Sequence, residues 1–126
     1  MRDVSFQELV KLAEILRGPD GCPWDRIQTL ENFVQYIADE TKEVQEALKK
    51  HDYPNLKEEL GDLLFNIIMT TKIAEEGGHF SIYDMLTSTY SKIARLHEHV
   101  FGGKKAETAE EALTSWYTQK EKESKR

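Results

Sequence analysis

The sequence has little cysteine or proline and no long apolar run. Its 126 residues include one cysteine and three prolines. One cysteine excludes an intrachain disulfide and fits a reducing compartment. No apolar run approaches the roughly 20 residues that a membrane-spanning helix needs, and Met1 to Ser5 lack the apolar stretch of a signal peptide. We therefore expect a cytoplasmic protein with no membrane partner.

Basic charge is also scarce, with 17 lysines and arginines against 23 acidic residues and a net charge of -6. A broad basic surface that wraps nucleic acid is therefore not expected. The length and the 39% hydrophobic content suit one compact domain. We predict a single domain over residues 1–126, in which residues 115–126 form the end of the last helix and a charged tail that frays.

Strand alternation, hairpin turn signals and internal repeats are absent, whereas helix starts are well marked. The capping box Ser5–Glu8 predicts a first helix that ends at Gly18–Gly21. The further predicted helices run from the cap Thr29 to about Lys50, from Pro54 at the first helical position to Glu75 or Glu76, from Ser81 to between His97 and Val100, and from the capping box Thr108–Glu111 into the tail. The pattern predicts an all-α, five-helix domain whose second and third helices form an antiparallel hairpin.

The predicted third helix is apolar around more than half of its circumference between Leu60 and Ile73. A helix of this kind needs cover on two sides. We therefore expect it to pack against a partner subunit as well as its own chain.

Two carboxylate pairs stand out on the predicted hairpin, Glu40 with Glu43 and Glu59 with Asp62. Residues three apart share a helix face, so each pair can direct its oxygens to one point. Glu40 falls inside an apolar stripe, where a buried charge is costly unless it is compensated. Acidic pairs in charged chains are often solvated faces, but two facing pairs with oxygen ligands favour a site for Mg²⁺, with Mn²⁺ as a substitute.

Other metal centres fit the sequence poorly. Cys22 with the histidines at 79, 97 and 99 matches no zinc spacing. A di-iron bundle needs Glu-x-x-His pairs, and the acids here are followed by acids instead. No glycine-rich phosphate loop is present.

Three further features leave two interpretations open. Lys92 and Arg95 lie on one predicted helix face, and Lys57 precedes the second acid pair; these cations either form salt bridges or contact an anionic ligand such as a polyphosphate. Trp24, in the loop Gly18–Gln28, either covers the core or stacks on a ligand.

The segments GCPWDRIQT, EELGDLLF and KIARLHEHVFG, with the acidic pair before VQEA, occur in an order that resembles the MazG family of nucleoside triphosphate pyrophosphohydrolases. The similarity extends from about Ser5 to Lys120. The family's metal signature, ExxE followed by ExxD, falls on Glu40, Glu43, Glu59 and Asp62.

The resemblance implies an all-α fold that dimerises through a four-helix core, as a homodimer or a dimer of dimers. It implies Mg²⁺-dependent cleavage between the α and β phosphates of a nucleoside triphosphate, in nucleotide-pool housecleaning, with Glu43 or Asp39 orienting the attacking water. The residues that would line the nucleotide site are Tyr36, Asp39, Lys57, Glu58, Lys92, Arg95 and Trp116.

The chain departs from the family pattern at three positions. Leu30 stands where a histidine is common, Asp39 replaces a glutamate, and Leu96 replaces the second arginine of RRHPH. The alternative function is a non-catalytic helical dimer that binds metal and a nucleotide or a protein partner.

Overall fold

The structure, a computed structural model, describes residues 2–124, and these form helices with no strand. The helices are α1 (Phe6–Leu16), α2 (Pro23–Ile27), α3 (Leu30–Lys49), α4 (Tyr53–Glu76), α5 (Ile82–Leu96), α6 (Glu98–Phe101) and α7 (Ala109–Ser124). The all-α prediction is confirmed, but the count of five is not, because the short helices α2 and α6 are additional. No helix among the described residues is long and apolar enough to cross a membrane.

The ends of the five long helices follow the sequence signals closely. The side chain of Ser5 accepts a hydrogen bond from the backbone N–H of Glu8, whose carboxylate accepts one from the Ser5 N–H. Thr29 caps α3 through Asn32. Helix α4 begins one residue earlier than predicted, because the side chain of Asp52 caps it and Pro54 takes the second position.

The C-terminal end of the chain is helical as far as the structure describes it. Helix α7 continues to Ser124, and the last two residues of the predicted frayed tail lie outside the described residues. At its start, Thr108 caps the N–H of Glu111, but the Glu111 carboxylate accepts from the N–H of Glu107 rather than completing a capping box.

A Schellman motif closes α3 and turns the chain back into α4. The N–H of Asp52 donates to the carbonyl of Ala47 at 3.0 Å, and that of His51 donates to Leu48 at 2.9 Å. His51 occupies the left-handed position with a φ of 54°. The same motif closes α4, where Gly78 takes the equivalent position with a φ of 79°.

We expect the substitution His51→Gly to stabilise the protein by about 0.5–1 kcal/mol, because glycine adopts the left-handed conformation without the steric cost of a Cβ. Urea denaturation followed by circular dichroism measures the change. His51→Ala is the matched control and should not stabilise, since alanine retains the Cβ. A glycine variant no more stable than the alanine variant would contradict this assignment.

The described residues divide into two compact units, one ending at Ile82 and the other beginning at Tyr83. In the first unit α3 and α4 form a helical hairpin, as predicted, and α1 packs on α4. Its buried apolar side chains are Val10, Ala13, Phe33, Ala47, Ile68, Met69, Ala74 and Ile82. The single-domain organisation stays a prediction.

Arg17, at the end of α1, connects three parts of the first unit. Its side chain is 8% exposed and forms two hydrogen bonds, of 2.8 and 2.7 Å, with the carboxylate of Glu76 at the end of α4. The same guanidinium donates to the backbone carbonyls of Asp25 and Gln28, which flank the end of α2. One buried cation thus fixes the ends of α1, α2 and α4.

In the second unit α6 packs against α7, and Leu96 is almost fully buried. The guanidinium of Arg95 binds both carboxylate oxygens of Glu123 on α7, at 3.0 and 3.2 Å. Leu96 therefore occupies a core position at the point where the family pattern often has its second arginine.

Candidate metal centre

Three carboxylates of the helical hairpin converge on one place. Glu40 of α3 and Glu59 and Asp62 of α4 each offer an oxygen, and these oxygens all lie within 4.8 Å of one another. Glu59 and Asp62 share a face of α4 because they are three residues apart. The antiparallel packing of α3 on α4 then brings Glu40 opposite them.

The burial of the three carboxylates follows the predicted periodicity. Glu40 and Glu59 are partly buried, whereas Asp62 is exposed. Glu40 is the acid that falls inside the apolar stripe of α3. Its Oε1 atom is buried and has no hydrogen-bond partner among the described residues.

The electrostatic environment of Glu40 strongly disfavours its charged form. Burial is the main cause that raises the pKa of Glu40 to about 7, and the charges of Glu59 and Asp62, a hydrogen bond with Glu59 and the charge of Glu43 raise it further. Burial also raises the pKa of Glu59, while the hydrogen bond with Glu40 lowers it. Without a cation, Glu40 therefore retains its proton to a higher pH than an ordinary carboxyl does.

Glu43, the remaining predicted ligand, lies outside the group of three converging oxygens. It sits one turn after Glu40 on the exposed side of α3, and its charge raises the pKa values of both Glu40 and Glu59. Glu43 is therefore beside the cluster, and its role as a ligand stays a prediction.

The three-oxygen group suits a small, hard divalent cation. Its donors are all carboxylate oxygens, which Mg²⁺ and Mn²⁺ prefer. The buried Glu40 Oε1 lacks a partner that a cation would supply. Like charges this close are costly without a counterion, so the residues fit the divalent cation that the sequence predicted.

Other predicted site residues of the first unit lie on the same two helices. Tyr36 precedes Glu40 by one helical turn and donates its hydroxyl hydrogen to Gln28 Oε1 at 3.0 Å. The Asp39 carboxylate accepts a hydrogen bond from the amide of Gln35 at 2.9 Å. Lys57 and Glu58 are exposed near the start of α4, and the charge of Glu58 helps to raise the pKa of Glu59.

The predicted residues Lys92, Arg95 and Trp116 belong to the second unit. Arg95 is half exposed and forms a salt bridge with Glu123, and its contact with a nucleotide stays a prediction. The ammonium of Lys120 lies 4.5 Å from the centre of the Trp116 ring. Lys92 is exposed on α5.

No sequence pattern predicted the role of Gln28. Its amide is buried, donates to the carbonyl of Trp24 at 3.0 Å, and accepts hydrogen bonds from Asn32 and Tyr36, each at 3.0 Å. A loop glutamine is usually a solvated residue, so no local pattern distinguishes this one. The segment Gly18–Gln28 was predicted as a loop, but Pro23–Ile27 of it forms α2.

We expect the cation-free protein to lose stability as the pH rises from about 4.5 to about 7. The pKa of Glu40 is 4.5 as an ordinary carboxyl and about 7 in the folded state, so in this window the folded state binds more protons than the unfolded state and the free energy of unfolding falls with pH. Thermal midpoints of wild type and Glu40→Gln in EDTA measure the effect. Their difference should grow with pH in favour of the glutamine variant and level off above pH 7.

The control for this titration is Glu46→Gln, which removes an exposed carboxylate two turns along α3. Its difference from wild type should show no such rise between pH 4.5 and 7. A wild-type and Glu40→Gln pair with parallel pH profiles would contradict the raised pKa.

The fold and the site define a class of protein: all-helical, with a cluster of carboxylates on a central helix hairpin. A model of the MazG nucleotide pyrophosphohydrolase domain matches residues 28–101, which is more than half of the chain. The chain belongs to this family.

Two curated relatives agree with this assignment. The chain is 38% identical over 88% of its length to a nucleoside triphosphate pyrophosphohydrolase of Escherichia coli (strain K12), and 42% identical over 79% of its length to a nucleoside triphosphate pyrophosphohydrolase/pyrophosphatase MazG of Thermotoga maritima. It spans 43% and 39% of those proteins, respectively. The chain therefore corresponds to less than half of each relative.

A solved structure shows the same fold. The crystal structure of a MazG-related protein from Thermotoga maritima aligns with a TM-score of 0.79 at 29% identity, covering 91% of this chain and 98% of that one. The all-α prediction and the family resemblance are both confirmed by these similarities.

Proposed function

We propose that the chain hydrolyses nucleoside triphosphates to nucleoside monophosphate and pyrophosphate in a Mg²⁺-dependent reaction that clears nucleotides from the pool. The observation that carries the proposal is the convergence of Glu40, Glu59 and Asp62 in a chain of the MazG family. Its relatives named as nucleoside triphosphate pyrophosphohydrolases support the same reaction.

The residues that would hold Mg²⁺ are Glu40, Glu59 and Asp62, with Glu43 beside them. When bound, the cation neutralises phosphate charge and makes water more acidic. By holding the cation, these carboxylates would orient the phosphate chain. The cation would also favour the charged form of Glu40, whose pKa is raised to about 7 by burial and by the charges of Glu59 and Asp62.

The attacking water needs a group that orients it and accepts its proton. Glu43 lies beside the cluster and Asp39 one residue before Glu40, and either carboxylate serves this role in the proposal. The water oxygen bonds to the α-phosphorus, the bond between that phosphorus and the bridging oxygen breaks, and pyrophosphate leaves with the electron pair. Tyr36, Lys57 and Glu58 are the proposed substrate contacts of the first unit. Lys92, Arg95 and Trp116 belong to the second unit, and their part in substrate binding stays a prediction from the family resemblance.

We also propose that the protein acts as a homodimer or a dimer of dimers. The partner contact was predicted on the apolar helix α4, where Leu60 and Leu64 share a face and are 48% and 39% exposed. An apolar helix face of this kind is typical of a surface covered by a second copy. Sedimentation that gives only a 14.6 kDa species at micromolar concentration would contradict the dimer.

Phosphorus NMR of the purified chain with Mg²⁺ and a panel of nucleoside triphosphates tests the reaction. Monophosphate and pyrophosphate are the expected products, in equal amounts. Diphosphate and orthophosphate would retain the metal centre but overturn the bond assigned. The absence of any product with either Mg²⁺ or Mn²⁺ would favour the non-catalytic binding protein.

A further inference from the structure

Helix α2 presents an aromatic ring that the proposed reaction does not use. Trp24 is 53% exposed although it lies in the first unit beside the core helix α3. Single exposed apolar side chains are common on protein surfaces, so the case for a ligand depends on how this ring is held. Its surroundings show that the ring is held in place.

Two buried side chains hold the backbone of α2. Its Trp24 carbonyl accepts the amide hydrogen of the buried Gln28, and its Asp25 carbonyl accepts from the buried Arg17. Before α2, Gly21 passes so close to the end of α1 that a Cβ there would lie 2.2 Å from the carbonyl oxygen of Leu16. The segment is therefore pre-organised, which lowers the entropic cost of binding a ligand on it.

The ring of Trp24 is stacked on Tyr36 with an interplanar angle of 20° and ring centres 6.0 Å apart. A third ring between them would need about 7 Å, from two contacts of about 3.5 Å. A planar ligand therefore cannot insert between the two rings, but it can stack on the exposed side of Trp24. Tyr36 supports the opposite side, with its hydroxyl held by Gln28.

This aromatic pair lies close to the carboxylate cluster. Tyr36 and Glu40 are four residues apart on α3, so they share a face with a rise of about 6 Å between them. An acidic surface disfavours anions, but the π-face of an uncharged heterocycle has no such penalty. A ligand with phosphates at the cation and an aromatic ring at the other end matches this arrangement.

We propose that the outer face of Trp24, supported by Tyr36, binds the nucleobase of the nucleotide by stacking. The identity of the ligand rests on the proposed function. Stacking is tolerant of base identity because every base has a π-face, so this surface contributes affinity for nucleotides in general. Trp24 is thus a substrate-positioning residue rather than a cover for the core.

Indole N–H signals in a ¹H–¹⁵N spectrum of the full chain test the binding without turnover. The chain has two tryptophans, and Trp24→Phe assigns the Trp24 signal by removing it. In EDTA, the Trp24 signal should shift on titration with at least one of four nucleoside monophosphates and stay unchanged with ribose 5-phosphate, which has no base. No shift with any of the four at millimolar concentration would overturn the proposal.

Kinetics provide a second test. Trp24→Ala should raise KM for nucleoside triphosphates about 10-fold or more, as expected for the loss of one stacked base, and leave kcat within about two-fold. Trp24→Phe should retain most of the affinity, since phenylalanine also stacks. Ile27→Ala, which trims another exposed apolar side chain of α2, should leave KM unchanged.

Inorganic triphosphate as a competitive inhibitor separates stacking from a general disturbance of the site. Its inhibition constant should be the same for wild type and Trp24→Ala, because it carries no base. An equal loss of affinity for triphosphate and nucleotide would overturn the proposal. If the wild-type protein turns over nucleotide and Trp24→Ala has the same KM, the stacking surface alone is refuted. If the wild-type protein shows no turnover, the proposed function is refuted.

Discussion

Asp62→Asn and Glu59→Gln should each abolish Mg²⁺-dependent hydrolysis while the helices stay folded. Each substitution removes a charge from the group of oxygens within 4.8 Å of one another, and neutral amides are weaker ligands for hard cations. We expect kcat/KM to fall at least about 100-fold, the scale of losing a group that stabilises transition-state charge. Steady-state rates across a Mg²⁺ titration measure the loss.

The stability of these variants separates a lost site from a lost fold. The charges of Glu59 and Asp62 both raise the pKa of Glu40, so removing either relieves repulsion in the cation-free protein. The thermal midpoint in EDTA at pH 8 should therefore equal or exceed that of wild type. In contrast, added Mg²⁺ should stabilise wild type and have little effect on the variants, because a ligand stabilises only a state that binds it.

Glu75→Gln is the matched control, since it changes an exposed acid on the same helix, between three and four turns after Asp62. It should retain the wild-type rate and the stabilisation by Mg²⁺. If Asp62→Asn or Glu59→Gln hydrolysed nucleotide at the wild-type rate, the assignment of the metal centre would be wrong.

Arg17→Ala should be the most destabilising single substitution among those considered, by about 2–4 kcal/mol. It removes a nearly buried cation that binds the Glu76 carboxylate and two backbone carbonyls. The loss of one partner leaves the remaining polar groups without hydrogen bonds, which costs more than the interactions themselves contribute. Urea denaturation at pH 7 gives the free energy of unfolding.

Two further variants show whether the ion pair itself is responsible. Arg17→Lys keeps the charge but lacks the planar fork, so its stability should fall between those of wild type and Arg17→Ala. In a double-mutant cycle, adding Glu76→Gln to Arg17→Ala should cost less than it does in wild type. Additive free energies would contradict a direct interaction.

The pH dependence of this pair has the opposite sign to that of Glu40. The hydrogen bond from Arg17 is the main cause that lowers the pKa of Glu76 below the ordinary value of 4.5. The pair therefore stabilises the protein above pH 4.5 and loses this contribution as the pH falls through the lowered pKa. As the pH falls, the stability advantage of wild type over Arg17→Ala should shrink. As the pH rises from 4.5 to 7, wild type should instead lose stability relative to Glu40→Gln.

Local sequence was sufficient to place the helices and to select the acids. A cap such as Ser5 or Thr29 acts on backbone groups within one turn, so its signal is complete in a few neighbouring residues. The spacing of Glu59 and Asp62 on one helix face is equally local. The family motif in turn identified the chain's relatives, which the domain match confirms.

Tertiary packing decided the features that join distant segments. The packing of α4 against α3 separates Glu43 from the other three carboxylates. The same packing leaves an oxygen of Glu40 without a hydrogen-bond partner and raises the pKa of Glu40. The pair of Arg17 and Glu76 joins residues 59 positions apart, and the burial of Gln28 depends on several helices at once. Such contacts carry no periodic signal, because the charges, the desolvation and the hydrogen bonds that define them exist only after the chain has folded.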